Sequence, residues 1–203
     1  MGHRPRRCGL TEDTTVTSGS GAAPVELDIS ANRRAVKWTK RELLVRAIWE
    51  GLRVPLFRWS PRICWGWRRM ILRVFGAKVG LHVRIHPTVH IDIPWTISIG
   101  ENSSVGDRAI LYGLGQISIG QNVTISQGAH VCAGTHDFRR PDMALIKSPI
   151  DIGDGVWLCA DAFVGPGTKV GSFAVVAARS VVVRDVASRA VVAGNPALQV
   201  GER

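Results

Sequence analysis

From Ile150 to Val183 the chain reads IDIGDGVWLCADAFVGPGTKVGSFAVVAARSVVV, and Ile152, Leu158, Val164, Val170, Val176 and Val182 recur every six residues. A helix places apolar residues near every 3.6 positions and a half-buried strand places them every second position, so neither explains this spacing. A period of six suits a short strand followed by a corner. Two positions before each later aliphatic stands a residue small or branched enough to share the inside of a narrow coil: Val156, Ala162, Thr168, Ala174 and Ser180. Gly153, Gly165 and Gly171 directly follow aliphatics, where positive φ is the expected reason for glycine at a tight corner. Such hexads bury a continuous core only by stacking, which makes the fold an all-β solenoid.

The same register runs upstream through Val79, Ile85, Ile91, Ile99, Val105, Leu111, Ile119, Ile125 and Val131. It slips twice, because Ile91 to Ile99 and Leu111 to Ile119 are steps of eight, and two residues must bulge at a corner each time. After Val131 the next register position is Ile152, so the segment THDFRRPDMALIKSP has to leave the stack as a loop. The repeat thus spans 79–186, with 187–203 as a C-terminal extension. Residues 1–35, rich in Gly, Ser, Thr and charge without periodicity, read as a disordered tail.

Residues 36–78 are different in kind. Leu44, Ile48 and Leu52, with Val45 and Trp49 beside them, share a helical face, and Pro55 should end or kink that helix. After Ser60-Pro61 a second amphipathic run places Trp67, Met70, Ile71, Val74 and Phe75 together, with Arg68, Arg69 and Arg73 elsewhere on the wheel and Gly76 as its stop. All of the net charge lies here and upstream: residues 1–80 hold sixteen basic and six acidic residues, whereas 81–203 hold ten of each. Two uses compete for these basic, Trp-rich helices, namely packing on the first coil and peripheral contact with a membrane surface. Nucleic acid is not expected as a partner. No stretch of about 18 uncharged apolar residues and no signal-peptide pattern occurs, and Cys8, Cys64, Cys132 and Cys159 lack metal-type or disulfide-type spacing, which together suit the cytoplasm.

Of the histidines, His82, His86 and His90 sit at i, i+4 spacing, but on a hexad path they occupy three phases and cannot converge on a metal. His130 lies in an outward phase and reads as a surface histidine. His136 lies where the repeat breaks into the loop, and loops on rigid scaffolds are where function concentrates.

These hexads, with the blocks ISQGAHVCAGTHDF, VWLCADAFVGPG and VVAGNPA and the lead-in SPRICWGWRRMILRVFGAKVG, resemble the hexapeptide-repeat acyltransferases over about residues 36–200. Within them the chain is most similar to the acetyltransferases of colanic acid biosynthesis. The resemblance implies a left-handed parallel β-helix, a homotrimer, and acetyl-CoA bound in the groove between neighbouring subunits. Three hexads per triangular coil then give about five coils. It implies O-acetylation of a sugar hydroxyl in exopolysaccharide or cell-surface glycan synthesis, with a sugar or lipid-linked oligosaccharide as acceptor and no metal. Residue by residue, the catalytic histidine falls on His136, the tryptophan lining the acyl-CoA channel on Trp157, and the backbone positions meeting the pantetheine arm near Ala160 and Ala178. The basic residue that meets a CoA phosphate in relatives is here Leu198, which leaves Arg179 and Arg184 as replacements.

The chemistry fits those residue types. Attack of a hydroxyl on a thioester needs a base for the hydroxyl proton, and a neutral imidazole is suited to that near pH 7. Cys132 and Cys159 stand inside hexads with no other catalytic sign, and Asp137 and Asp142 are either acceptor ligands or solvated loop carboxylates. The other readings are an O-acetyltransferase of another small hydroxyl acceptor, a zinc-dependent γ-carbonic-anhydrase-like β-helix, and a non-enzymatic solenoid scaffold. The last would need no histidine at the break.

Overall fold

Each hexad folds as a strand of two or three residues and a turn. The computed structural model describes residues 26–203. The strands stack in parallel into three faces, apart from two antiparallel pairings noted below. Face A is built from Lys78–Val79, Ile97–Ile99, Ile117–Ile119, Ile150–Ile152 and Lys169–Val170. Face B follows with Arg84–Ile85, Ser104–Val105, Thr124–Ile125, Trp157–Leu158, Val175–Val176 and Ala190–Ala193. Face C holds His90–Ile91, Ile110–Tyr112, His130–Cys132, Phe163–Val164 and Val181–Val182.

Every register aliphatic from Val79 to Val182 is buried, and they meet in register down the stack, as Ile119 beside Ile152 and Ile125 beside Leu158. A fully buried aliphatic of this size contributes about 1.5–3 kcal/mol, and in a solenoid that burial exists only because the next coil covers it. The first eight-residue step is absorbed by a single 3₁₀ turn, Pro94–Thr96.

The solenoid makes about six turns rather than five. Val186 bridges Val170, and Ala190–Ala193 pairs with Val175–Val176, so the segment read as an extension from 187 supplies a further layer. Hexad counting missed it because the last coil is shorter: Val170 to Val186 is 16 residues, where Ile152 to Val170 is 18. Leu198–Glu202 then folds back antiparallel on Ala190–Ala193 and becomes the edge strand of face B.

The glycines have a different reason from the one expected. Gly153, Gly165 and Gly171 are not among the positive-φ residues. A Cβ on Gly153 would lie 2.7 Å from the Ser172 backbone nitrogen, and one on Gly171 would collide with that of Ser188. Gly153 and Gly171 are glycine because adjacent coils approach too closely for a side chain, whereas at Gly165 the nearest atom, the Val182 carbonyl oxygen, would be 3.1 Å away. The left-handed corner is instead taken in successive coils by His82, Asn102, Asn122, Gly155, Phe173 and Arg189, with φ from 56° to 65°.

Three helices precede the coils: α1 (Ile29–Arg34), α2 (Lys40–Leu52) and α3 (Trp65–Val74). A capping box of Thr39 and Glu42 starts α2. Pro55 does not break the chain's winding. The helix widens into a π turn over Arg53–Arg58, in which the Trp59 N–H reaches back five residues to the Val54 carbonyl. Trp49, Phe57, Ile71 and Leu72 are buried, and the Trp49 indole N–H donates to the Ile91 carbonyl at 2.7 Å. Arg68, expected on the polar side, is fully buried: it donates to the carbonyls of Ile85, Pro61 and Arg62 and to the Ser60 hydroxyl at 2.6–2.8 Å. One guanidinium thereby ties α3, the turn before it and the first coil together.

Candidate active site

The break in the repeat is a hairpin. Gly134–His136 pairs antiparallel with Leu145–Lys147, and the chain re-enters face A at Ile150. His136 is exposed, and its Nδ1 lies 2.7 Å from the Met143 carbonyl oxygen. A carbonyl can only accept, so Nδ1 carries a proton, and in the neutral ring Nε2 keeps its lone pair. Asn32 of α1 donates from Nδ2 to the same Met143 oxygen and to the Asp142 oxygen, both at 2.7 Å.

The segment before α2 therefore braces the loop. Residues 1–25 of the expected tail lie outside the described residues, while 26–35 include α1. Asp28 caps that helix through the Ala31 N–H, and its own N–H donates to the Pro141 carbonyl at 2.8 Å. Further on, the Trp38 ring is flanked by the Arg46 guanidinium at 4.3 Å and the Lys147 ammonium at 3.7 Å.

Trp157 stands on the outer side of face B, half exposed, and its indole N–H donates to the Ser126 hydroxyl at 3.0 Å. Ala160 and Ala178 lie one coil apart at the corner between faces B and C, where the Arg179 N–H donates to the Ala160 carbonyl. Among the described residues neither the Ala160 nor the Ala178 N–H meets a backbone carbonyl, which leaves both available to a ligand. Arg179 is exposed beside Asp161 at 3.7 Å. Arg184 is exposed too, but it follows Val181–Val182 and so lies at the corner between faces C and A.

The candidate residues thus fall into two groups on opposite edges of face C. His136 and Arg184 belong to the C–A edge, and Ala160, Ala178 and Arg179 belong to the B–C edge, with Trp157 on face B beside it. A hexad, counting its strand and its turn, can span at most about 20 Å from corner to corner. One chain does not bring the two groups together.

The remaining chemistry-bearing residues are otherwise engaged. Asp142 pairs with Arg140 at 2.9 Å, and that hydrogen bond holds its carboxyl below the usual range. Asp137 caps the turn by accepting from the Arg139 N–H. Burial pushes the Cys159 thiol up, away from the thiolate a nucleophile needs, and Cys132 Sγ donates to the Gly134 carbonyl. His82 forms a corner, His86 lies beside Thr88 and Asp107, and His90 lies beside Asp92. Among the described residues no group of three or more His, Cys, Asp and Glu side chains is placed to hold a metal ion. His130 is not a plain surface residue, since its ring is packed edge-on between Tyr112 and Phe163, and burial lowers its pKa.

Asn32, Ser126 and Arg68 were not found from the sequence. Asn32 had a signal in the Asp28-Ile29-Ser30 start of a short helix, but nothing pointed to its partner 110 residues away. Ser126 lies two residues beyond Thr124, the register partner of Trp157, a placement readable only once the hairpin is set aside.

Against known proteins, no family model matches the chain. It is 41% identical over 156 residues to the Escherichia coli protein named colanic acid biosynthesis acetyltransferase WcaF, covering 77% of this chain and 86% of that one. It is 28% identical to the galactoside O-acetyltransferase of Escherichia coli over 66% of this chain and 68% of the relative. Among solved structures, a maltose O-acetyltransferase from Clostridium difficile superposes with a TM-score of 0.72 at 26% identity, covering 81% and 89% of the two chains. The fold also matches a Vibrio cholerae hexapeptide-repeat acetyltransferase solved with acetyl coenzyme A, at a TM-score of 0.74 and 24% identity over 82% and 91% of the chains. The hexad stack, the hairpin at its break and the identity to WcaF over most of both chains lead to one family: the chain belongs to the hexapeptide-repeat acetyltransferases.

Proposed function

We propose that the protein transfers an acetyl group from acetyl-CoA to a sugar hydroxyl in exopolysaccharide or cell-surface glycan assembly, with His136 as general base. The observation that carries the base is the bond from His136 Nδ1–H to the Met143 carbonyl, because it leaves Nε2 as the proton acceptor. In the reaction Nε2 takes the hydroxyl proton while the hydroxyl oxygen bonds to the thioester carbonyl carbon. The tetrahedral oxyanion collapses by breaking the C–S bond, and the imidazolium returns the proton to the leaving thiolate. No covalent enzyme intermediate is required, in keeping with Cys159, whose thiol is pushed up rather than activated.

Acetyl-CoA as donor is supported by the Vibrio cholerae relative solved with it, and a glycan acceptor by the name of WcaF. Trp157 would line the acyl channel and the Ala160 and Ala178 N–H groups would meet the pantetheine arm. Arg179, on their edge, is the better placed phosphate partner, whereas Arg184 sits on the edge of His136. The separation of the two groups supports a homotrimer in which the C–A edge of one chain meets the B–C edge of the next, so that each site draws on two chains. We place the reaction in the cytoplasm, with a soluble nucleotide sugar or a lipid-linked oligosaccharide as acceptor.

The test is acetyl-CoA turnover against a panel of both acceptor types, with the product weighed by mass spectrometry. His136→Ala should lower kcat by roughly 10² to 10⁴ without loss of fold, and near-normal turnover would sink the assignment. Mixing His136→Ala chains with chains blocked by Ala178→Trp should regain activity. Failure to regain it in mixed oligomers would mean that each site belongs to one chain.

A further inference from the structure

We infer that α2 and α3 form a docking face for an anionic lipid bilayer. The helix pair is apolar on two sides, and packing on the first coil accounts for only one. Trp49, Phe57, Ile71 and Leu72 face inward and are buried. On the other side Leu44, Ile48 and Leu52 of α2 are 62, 45 and 39% exposed, and Trp67, Met70 and Val74 of α3 are 42, 47 and 77% exposed. The two stripes adjoin. At one end the Trp67 indole N–H donates to the Leu56 carbonyl at 2.7 Å, and at the other Ile48 and Val74 line one open groove with Val45 and Phe75. The turn joining the helices adds Trp59 and Ile63, the latter 82% exposed. An apolar surface of this extent signals a partner.

Charge selects the partner. Residues 36–78 hold eleven basic residues and two acidic ones, and with Arg68, Arg69 and Arg73 bonded to carbonyls of the first coil and Arg53 paired with Glu50, seven basic side chains are left for a partner. Both acids are occupied, Glu42 in the cap with Thr39 and Glu50 in an ion pair with Arg53. Arg41 borders the groove, and Arg58 and Arg62 flank Trp59 and Ile63 in the chain. A second copy meeting this face would bring two strongly basic clusters together, whereas anionic headgroups neutralise them and the tryptophans suit the headgroup boundary. Among the described residues no helix is long and apolar enough to cross a membrane, so the contact lies along the surface.

Arg62 also lines, with Arg84, a cleft over face B that reaches Ser126, the hydroxyl bonded to Trp157. Docking through the helices would set the mouth of that cleft beside the bilayer, as an acceptor carried on a lipid requires. This last step rests on the proposed function, while the docking itself is read without any turnover.

The full-length protein should float with phosphatidylcholine vesicles containing roughly 30% phosphatidylglycerol at low salt. Binding should fall about tenfold or more at several-fold higher salt and be weak on pure phosphatidylcholine. Ile48→Asp with Val74→Asp should reduce flotation several-fold while the thermal midpoint and oligomeric mass stay unchanged. Failure of the wild-type chain to bind anionic vesicles at low salt overturns the inference, whether or not the variant folds. Equal binding by the folded variant overturns it too. A loss of oligomeric mass in the variant would assign the face to a second copy instead.

Discussion

The coils and the parts attached to them are held by different physics. Within the stack the burial of Leu158 or Val164 follows from position alone, since any branched aliphatic at that phase is enclosed by the coils above and below. Outside it, single polar groups do the holding: Arg68 fastens α3, and Asn32 fastens the loop that carries His136. A periodic core tolerates the swap of one aliphatic for another, but an attachment made by one side chain has no substitute nearby. The residues that set chemistry are therefore found where periodicity fails.

The strongest way to sharpen that contrast is Arg68→Met, which keeps the bulk of the side chain and removes its donors. Replacing a buried charge by a hydrophobe is often neutral when the partners go too, but here three carbonyls and a hydroxyl would stay behind without a donor. Their loss outweighs the relief of desolvating one cation, and the expected cost is about 3 kcal/mol. The thermal midpoint should fall by roughly 6–12 °C. A midpoint within 2 °C or so of wild type would mean the apolar contacts of α3 suffice without the guanidinium.

Asn32 offers a smaller and more selective effect. Asn32→Ala and Asn32→Asp both remove the donor to the Met143 carbonyl, and the carboxylate cannot replace it. Loosening that carbonyl frees the His136 ring, so kcat should drop about five- to tenfold, the worth of one hydrogen bond, with KM for acetyl-CoA unchanged. A merely structural role would lower the midpoint and leave kcat alone. Asn32→Asp retaining full turnover would show that the brace is not what orients the ring.

The division between coils and attachments also marks what the sequence could convey. All fifteen inward aliphatics, both eight-residue steps and the excursion after Val131 follow from counting, because period six is a local rule. The sixth turn was lost where the rule changes, at the shortened step from Val182 to Val186. Glycines were placed correctly but for the wrong cause, since close approach of coils is a contact between residues about 18 apart and not a property of one residue's φ. His136 was legible as the histidine at the break. Its Met143 partner was not, because a backbone carbonyl leaves no mark in a sequence, and neither was the division of the site residues between two edges.

His130 gives the smallest effect and lies where the two regions meet, on the outer side of a coil strand just before the hairpin. Its ring packs between Tyr112 and Phe163, burial lowers its pKa, and its buried Nε2 has no hydrogen-bond partner among the described residues. The folded state therefore binds this proton less readily than the unfolded chain, whose histidine titrates near about 6.5. Stability is fully present above that value and is lost as pH falls from there through the lower folded-state pKa. His86, also lowered by burial, adds to the same decline. His130→Phe keeps an aromatic ring between Tyr112 and Phe163 and removes this titrating group, leaving His86 in place. Between pH 7.5 and 5.5 the midpoint of the variant should drop by about 1–3 °C less than that of the wild type. Parallel curves for the two proteins would mean that protonated His130 finds a partner in the fold, and the nearby Asp92 carboxylate, whose Oδ2 is likewise buried and unbonded, is the group that would supply it.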